Sequence, residues 1–254
     1  MPTLLLIRHG RTTANASGTL AGWTPGVGLD EVGRKQAQRL ADRLGALPVS
    51  RVLTSPLQRT VETATPLAAR LGLDVETEDD LGECRYGAWT GRPLAELAKE
   101  ELWQTVQRAP SAAIFPASPE HEHESLAQMS ARAVAAVRRR DAEVAQACGP
   151  SAVWAAVSHG DVIKAILADA MGTHLDSFQR IVVDPASVSV VRYTGGRPLV
   201  LVTNGPGTEL AGMVTPPPPA PADGTSAQGA AADEGVIGGG AGSPAGSVDA
   251  DAQG

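Results

Sequence analysis

Two histidines and two arginines each follow closely on a strand-like run, a placement that favours chemistry at one shared site. Arg8 and His9 follow the first run, Arg59 follows the second, and His159 follows the third. The three runs are predicted strands: Thr3–Ile7, Arg51–Thr54 and Ala152–Val157. The carboxyl ends of parallel strands meet at the same edge of a sheet, so we expect the four side chains to converge there.

Two guanidinium groups beside two imidazoles suit the transfer of a phosphoryl group. Arg8 and Arg59 offer planar pairs of donors that match phosphate oxygens. A neutral imidazole is a good nucleophile toward phosphorus, and a second histidine that donates a hydrogen bond stabilises charge on the group in transfer. The residue types therefore predict a phosphoryl pocket in which one of the two histidines is the nucleophile.

A leaving alkoxide needs a proton, and Glu83 is the candidate to supply it. Glu83 lies in the segment Leu81–Gly91. A carboxyl in a partly closed pocket can have a raised pKa, so it can act first as an acid and then as a base toward water. The alternative is a structural ion pair between Glu83 and Arg59. Glu62, one helical turn after Arg59, is predicted to orient its guanidinium.

Helix-like segments alternate with the predicted strands. Asp30 is a predicted N-cap and Gly45 a stop for the first long helix. A second helix is predicted over Leu57–Leu71, ending at Gly72, and Pro66 is expected to kink or divide it.

The second half of the chain continues this alternation. Ser125 begins a capping box before a long helix, and Asp161–Met171 is predicted as the next helix. Closing strands are predicted at Arg180–Val183, Ser187–Arg192 and Leu199–Thr203. The alternation predicts an α/β fold, a three-layer α/β/α sandwich with a mostly parallel central sheet. Residues from about 84 to 124 have weak periodicity, so we expect an insertion of short helical pieces over one end of the sheet.

The last 41 residues differ in composition from the rest of the chain. Twenty-five of residues 214–254 are Pro, Gly or Ala, and none is Lys, Arg, Leu or aromatic. Such a segment cannot bury enough apolar surface to offset the entropy lost on ordering. We predict a catalytic domain over residues 1–204 and a disordered, acidic, Pro/Gly/Ala-rich tail over residues 205–254.

Charge and cysteine content limit the classes of function. Five of the 28 acidic residues lie in 214–254, which leaves 23 acidic against 21 basic residues in 1–213. A nearly neutral domain offers no electrostatic surface for nucleic acid, and no apolar run is long enough to span a membrane. No signal peptide is predicted before Arg8. Two cysteines, Cys84 and Cys148, exclude a disulfide framework and favour the cytoplasm.

Four motifs follow one another along the chain: LLLIRHGRTTAN, TSPLQRTVETA, LGECRYGAWTG and AVSHGDVIKAIL. Together they resemble the histidine phosphatase superfamily, which includes the cofactor-dependent phosphoglycerate mutases, and they occur in that family's order. The resemblance covers about residues 3–204. Within the superfamily the chain looks closest to bacterial proteins of high-G+C genomes described as phosphomutases, and its 18 Arg against 3 Lys suit such a genome.

The resemblance implies two sets of site residues. The catalytic set, with the first histidine as the phosphorylated nucleophile and the glutamate as proton donor, is Arg8, His9, Arg59, Glu83 and His159. The phosphate-binding set is Arg8, Thr12, Asn15, Arg59, His159 and Gly160. Turn and cap roles are the alternative for Thr12 and Asn15. No metal or other cofactor is expected, and a homodimer is expected because relatives often pair.

Departures from the mutase pattern favour a phosphatase. Cys84 replaces the Arg of the mutase segment Glu-Arg-His-Tyr-Gly, and Arg108 is the only arginine between Leu94 and Pro110, where relatives have a pair that holds the phosphoglycerate carboxylate. A mutase must retain its intermediate, whereas a phosphatase needs only to admit water. We predict a phosphomonoesterase that hydrolyses a small phosphorylated metabolite through a phosphohistidine. The alternatives are a phosphoglycerate mutase-type phosphomutase and a non-catalytic regulatory or binding module.

Three further features of the sequence bear less directly on function. Arg11, where relatives usually have Glu or Gln, or Arg85 could meet a second anionic group of the substrate. His121 and His123 alternate with glutamates, a pattern more typical of a polar loop than of a metal site. The run Arg138–Arg140 is expected to form a solvated helix face.

Overall fold

One mixed sheet forms the centre of this computed structural model, which describes residues 2–193, 197–206 and 210. The strands are β1 (Thr3–Arg8), β2 (Val49–Thr54), β3 (Val75–Thr77), β4 (Val153–Ser158), β5 (Val188–Tyr193) and β6 (Pro198–Gly205). Their order in the sheet is β3-β2-β4-β1-β5-β6. β1 to β4 pair in parallel, whereas β5 is antiparallel to β1 and β6 is antiparallel to β5. Nearly all of the predicted tail lies outside the described residues.

Helices cover both faces of the sheet. They are α1 (Thr13–Ser17), α2 (Glu31–Leu44), α3 (Gln58–Leu71), α4 (Leu94–Leu97), α5 (Glu101–Arg108), α6 (Leu126–Cys148) and α7 (Gly160–Ala170). Side chains of α2 and α3 belong to one hydrophobic cluster, and side chains of α6 and α7 belong to another. The predicted three-layer α/β/α sandwich is therefore confirmed. Across the described residues, no helix is long and apolar enough to cross a membrane.

The apolar run of β1 explains why its position is central. Leu5 and Ile7 belong to the cluster with α2 and α3, while Leu4 and Leu6 belong to the cluster with α6 and α7. Successive side chains of a strand point to opposite faces, so a run without polar residues is buried on both. This burial fixes the register of β1 and hence the place where its last residue, Arg8, leaves the sheet.

The structure confirms several predicted helix boundaries. The Asp30 side chain accepts a hydrogen bond from the backbone N–H of Gly33, at 2.7 Å, and caps α2. Ser125 forms a capping box at the start of α6. Gly72 ends α3 in the left-handed conformation, with φ of 67°. Pro66 does not divide α3, which is assigned as one helix over its whole length.

One predicted strand is wrong, and one strand of the structure was not predicted. Arg180–Val183 is not a strand: a 3₁₀ helix occupies Leu175–Arg180, and the next three residues have no strand partner. The backbone carbonyl of Val183 instead accepts a hydrogen bond from Arg8 Nη1 at 2.6 Å, so an apolar β-branched run lines a pocket rather than extending the sheet. The short edge strand β3 was not predicted, because three residues carry too little periodicity.

The prediction that Arg138–Arg140 form a solvated face of α6 is wrong for Arg139 and Arg140. Arg139 Nη2 and Arg140 Nε lie 3.0 Å and 2.6 Å from Glu78 Oε2, and Glu78 is buried. A buried carboxylate requires a cationic partner. These arginines therefore tie α6 to the segment that precedes Glu83.

Candidate active site

The predicted site residues meet at the edge of the sheet where β1 and β4 end. A cavity of about 450 Å³ opens there. Its wall includes seven of the eight residues predicted to form the site: Arg8, His9, Thr12, Asn15, Arg59, Glu83 and Gly160. The eighth, His159, is fully buried beside the wall, and its ring centroid lies 5.3 Å from that of His9.

Hydrogen bonding defines the protonation of His9. Nδ1 of His9 lies 2.8 Å from the backbone carbonyl oxygen of Gly10. A carbonyl can only accept, so Nδ1 carries the proton and Nε2 of the neutral ring keeps its lone pair. Burial, together with the charges of Arg59 and Arg8, holds the pKa of His9 well below its usual range. His9 is therefore a neutral base with Nε2 available as a nucleophile.

His159 is neutral for similar reasons but has different partners. Burial and the charge of Arg59 hold its pKa well below the usual range. Its Nε2 lies 2.8 Å from Ser55 Oγ, while Nδ1 is buried without a hydrogen-bond partner. The backbone N–H of Leu57 donates to Ser55 Oγ at 3.3 Å, which leaves the hydroxyl proton free to be donated to Nε2. In that tautomer Nδ1–H remains as a donor for a ligand.

The two arginines are held by backbone carbonyls. Arg8 Nη1 donates to Val183, and Arg59 Nη2 donates to the carbonyl of Gly22 at 2.9 Å. Arg8 Nε is buried without a partner. Two positive charges with unused donors beside neutral imidazoles form a site for a dianion such as a phosphate group.

Glycine is required where the loop after β1 contacts α2. A Cβ atom on Gly10 would lie 2.8 Å from the backbone oxygen of Gly33. The backbone N–H of Gly10 donates to Thr63 Oγ1, and that of Arg11 donates to Gln36 Oε1. This close packing fixes the backbone that carries His9.

Thr12 and Asn15 have the cap role that was the alternative for them, and they also line the cavity. The Thr12 hydroxyl accepts from the backbone N–H of Asn15, and Asn15 Oδ1 accepts from the backbone N–H of Thr12, each at 3.1 Å. Gly160 begins α7, whose first backbone N–H groups lie at this edge of the sheet. A helix N-terminus of this kind favours an anion.

Glu83 lies close to His159, and its pKa is raised. Its Oε2 is 3.8 Å from His159 Nδ1, and its Oε1 accepts from the backbone N–H of Cys84 at 3.0 Å. Burial, and next the negative charge of Asp161, raise the pKa of Glu83 to about 7. A carboxyl with this pKa can donate a proton and take one back near neutral pH.

The backbone around Glu83 is fixed by side chains from three other parts of the fold. Arg132 on α6 donates to the carbonyls of Asp80, Gly82 and Glu83 at 2.7, 2.9 and 3.0 Å. The indole of Trp23 donates to the Glu83 carbonyl at 2.6 Å. We name this set of contacts on residues 80–83 the acid-loop clamp.

Three more features complete the acid-loop clamp. Ser158 Oγ donates to the carbonyl of Leu81 at 2.7 Å. Arg132 is itself paired with the buried Glu124, at 2.6 Å. Gly82 has no room for a side chain, because a Cβ atom there would overlap the ring of Trp23. The position of Glu83 therefore depends on packing of several elements at once.

Glu62 does not orient Arg59, contrary to the prediction. Glu62 Oε2 accepts from the backbone N–H of Leu29 at 2.7 Å, and Oε1 accepts from Gln58 Nε2 at 2.6 Å. Both oxygens therefore hold the chain before α2 and the start of α3, although Glu62 and Arg59 are neighbours on one helix.

The two arginines expected to meet a second anion do not line the cavity. Arg11 pairs with Asp30 at 2.7 Å, and Arg85 pairs with Glu122 at 2.7 Å. Across the described residues, no group of three His, Cys, Asp or Glu side chains could hold a metal ion, and this includes the loop with His121 and His123.

Sequence reasoning missed residues whose role appears only in three dimensions. Ser55 was visible inside the second motif, but its partner His159 is 104 positions away. Asp161 and Lys164 follow His159 on α7 and line the cavity, and only the helical spacing of α7 could have indicated them. Arg132 lies in the second turn of α6, and no local sequence pattern indicates its role.

Sequence comparison finds curated relatives that are similar to most of this chain. It is 32% identical over 206 residues to the bifunctional protein Rv2228c of Mycobacterium tuberculosis, and the match covers 79% of this chain but 53% of that protein. The chain thus spans about half the length of that relative. It is 31% identical over 196 residues to the probable phosphoglycerate mutase GpmB of Yersinia enterocolitica, covering 76% of this chain and 86% of GpmB.

Solved structures show the same fold. YhfR of Bacillus stearothermophilus matches with a TM-score of 0.71 at 27% identity, covering 81% of this chain and 98% of YhfR. The mycobacterial glucosyl-3-phosphoglycerate phosphatase Rv2419c, solved with VO3, matches with a TM-score of 0.70 at 25% identity, covering 80% of this chain and 99% of that one. The family model of the histidine phosphatase superfamily (branch 1) matches residues 4–205. The resemblance seen in the four motifs is thereby confirmed, and the chain belongs to the histidine phosphatase superfamily.

Proposed function

We propose that this protein is a phosphomonoesterase that hydrolyses a small phosphorylated metabolite through a phosphohistidine at His9. The observation that carries the proposal is the fixed tautomer of His9, which leaves Nε2 unprotonated in a cavity that also holds two arginines. Family membership and the phosphatases among the structural matches support the same activity.

The first half of the reaction phosphorylates the enzyme. Arg8, Arg59 and the Nδ1–H of His159 bind the phosphoryl oxygens and stabilise their charge in the transition state. The Nε2 lone pair of His9 attacks phosphorus, and the bond between phosphorus and the ester oxygen breaks. The leaving oxygen takes the proton of Glu83, so the alcohol departs neutral and Glu83 becomes a carboxylate.

The second half returns the enzyme to its starting state. The Glu83 carboxylate takes a proton from water as the water oxygen attacks phosphorus. The bond between phosphorus and Nε2 breaks, phosphate leaves, and both His9 and Glu83 regain their initial forms. A pKa of about 7 for Glu83 suits both halves, because neither protonation state is rare at neutral pH.

A rapid-quench experiment tests the intermediate. The protein is mixed with a ³²P-labelled phosphate monoester and quenched in alkali, in which phosphohistidine survives and phosphoserine does not. We expect label on the protein that is lost in acid, and we expect His9→Ala to lose both label and phosphate release.

His121→Ala is the matched control, because it removes an imidazole from a loop outside the cavity wall. It should retain both the label and the release of phosphate. Appreciable turnover by His9→Ala would overturn the assignment of the nucleophile.

The similarity to GpmB favours a phosphomutase as the second candidate function. A mutase returns the phosphoryl group to another oxygen of the bound intermediate instead of to water. Its signature would be isomerisation of a phosphoglycerate that requires a bisphosphorylated primer and releases little phosphate. Phosphate release without a primer would reject it.

The setting of the reaction is also part of the proposal. We propose action in the cytoplasm on small molecules, without a metal or nucleic acid partner, in keeping with the two unpaired cysteines and the near balance of charge in residues 1–213. A homodimer stays a prediction.

A further inference from the structure

The cavity extends beyond the phosphate site into a region with apolar walls. These walls come from residues 84–124, from the loop that follows α1, and from the loop that follows the 3₁₀ helix Leu175–Arg180. The apolar side chains are Leu20, Leu94, Trp103, Val106, Ile181 and Val182. A substrate body that contacts them must itself be largely apolar.

One cation, Lys164, lines the cavity beside these apolar walls, together with the polar side chains of Gln107, Asp161 and Gln179. Lys164 is, with Arg8 and Arg59, one of three Lys or Arg side chains among the described residues of the cavity wall. It follows Gly160 by four residues on α7, so it stands about 6 Å farther along the helix from the phosphate site. Its side chain is only 20% exposed.

The contacts of Lys164 leave it able to bind a ligand. Nζ lies 3.1 Å from the amide oxygen Oε1 of Gln179 and 3.5 Å from Asp161 Oδ1. The second distance is long for a hydrogen bond, and Asp161 Oδ2 already accepts from the hydroxyl of Tyr86 at 2.9 Å. An ammonium has three donors, so at least one remains for an acceptor that reaches hydrogen-bonding distance.

The charge balance indicates which acceptor fits. The carboxylate of Asp161 lies 3.5 Å from Nζ of Lys164 and offsets part of its charge, so an acceptor with one negative charge meets less repulsion there than a second dianion would. Arg11 and Arg85 pair with carboxylates and do not line the cavity. They therefore do not compete with Lys164 for an anionic group of the substrate.

We propose that Lys164 selects phosphate monoesters whose alcohol or phenol part carries a carboxylate at the end of an apolar body. This specificity rests on the proposed phosphatase function and names the substrate class of the same site. Lys164 binds the carboxylate, and the apolar walls contact the body between it and the phosphate.

Two esters of nearly equal size provide the test. 4-Carboxyphenyl phosphate carries the carboxylate, and 4-carbamoylphenyl phosphate replaces it with a neutral amide. The ratio of their kcat/KM values is measured in the wild type and in Lys164→Met. The difference in leaving-group acidity is the same in both proteins, so it cancels when the two ratios are compared.

We expect the ratio in favour of the carboxylate to fall about tenfold in Lys164→Met, because a hydrogen bond to a charged group is lost. Lys164→Arg should keep most of the preference. Lys35→Met is the matched control: it removes a lysine on α2, whose partner is Glu31, and should keep the wild-type ratio. An unchanged ratio in Lys164→Met would overturn the inference while leaving the phosphatase function intact.

Binding to His9→Ala separates the two proposals. Calorimetry measures the affinity of both esters for His9→Ala and for His9→Ala/Lys164→Met without turnover. If the wild type hydrolyses neither ester, the proposed function fails. The role of Lys164 is still supported if His9→Ala binds the carboxylate ester more tightly than the amide and His9→Ala/Lys164→Met does not. Equal affinities for both esters in His9→Ala would contradict it.

Discussion

The two ends of the cavity differ in how their side chains are held. Near the sheet, His9 is bonded to Gly10, Arg59 to Gly22, and Arg8 to Val183, in each case through a backbone carbonyl. At the far end, Leu94 and Val182 lie on short elements and loops and are 37% and 61% exposed. One end is rigid and polar, and the other is open and apolar.

From this difference we predict that catalysis depends on the first end of the cavity and the choice of substrate on the second. Groups that must meet the phosphorus within a fraction of an ångström are fixed by the sheet and the backbone around it. Side chains that only contact the substrate body can vary without disturbing them. Variants at the first end should therefore slow every ester, and variants at the second should change the preference among esters.

The largest effect is expected from Arg59→Met. The variant loses a buried guanidinium that is proposed to stabilise the transferring phosphoryl group, so kcat/KM should fall about a thousandfold for all esters. Steady-state kinetics on an aryl and an alkyl phosphate measures it, with Arg11→Met, paired outside the cavity wall, as the control. A loss confined to one ester would break the proposed division between the two ends.

Glu83→Gln should distinguish between leaving groups. Alkyl phosphates, whose alkoxides need a proton, should slow about a hundredfold or more, whereas 4-nitrophenyl phosphate should slow much less. Equal losses on both esters would argue against Glu83 as the acid.

The pH profile of the wild type should agree with the same assignment. Burial raises the pKa of Glu83 to about 7, and the proposed mechanism uses its protonated form as the donor. For alkyl esters, kcat/KM should therefore fall as the pH rises above about 7. Glu83→Gln should lose this limb, and persistence of the limb in the variant would assign it to another group.

Arg132→Met should weaken the acid-loop clamp and leave the buried Glu124 with only its longer ion pair, to Arg85 Nη1 at 3.9 Å. We expect the free energy of unfolding to drop by about 3 kcal/mol, as measured by urea denaturation. Alkyl ester hydrolysis should fall more than aryl ester hydrolysis, because Glu83 loses its support.

Arg138→Met is the matched control for that measurement. Arg138 is on the same helix, and its pair with Asp169 is largely exposed, so the change in unfolding free energy should stay below about 1 kcal/mol. Equal destabilisation by both variants would show that the contacts of Arg132 contribute nothing particular.

The smallest effect is expected from Val182→Ser at the apolar end. The affinity for a large aryl ester such as 2-naphthyl phosphate should fall about threefold, since little apolar area is lost. Inhibition by inorganic phosphate should stay the same. A change in phosphate inhibition would show that the two ends are not independent.

The parts of the molecule that were predictable have local signals. Leu4 to Ile7 form an uninterrupted apolar run, and Asp30 and Ser125 stand at the start of periodic segments, so β1 and the starts of α2 and α6 could be read from the sequence. The convergence of His9 with His159 followed from parallel strands that end at one edge.

The predictions that were wrong, and the residues that were missed, involve partners that are distant in sequence. The run Arg180–Val183 has β-branched residues, yet the carbonyl of Val183 binds Arg8, which is 175 positions away. Glu62 is on the same helix as Arg59 but binds Leu29. Lys164 and Arg132 gain their positions only when α7 and α6 pack on the sheet. Neighbours along the chain do not reveal such contacts.

The acid-loop clamp has a consequence for how activity is lost when the protein begins to unfold. The carbonyls of residues 80–83 are held by Trp23, Arg132 and Ser158, which lie on three separate segments. Loosening of α6 removes the three hydrogen bonds of Arg132 from the clamp, whereas the hydrogen bond between His9 and Gly10 does not involve α6. Local opening should therefore uncouple proton donation from phosphate capture. In mild urea the enzyme would stop cleaving alkyl esters while it still binds phosphate and cleaves esters that need no proton.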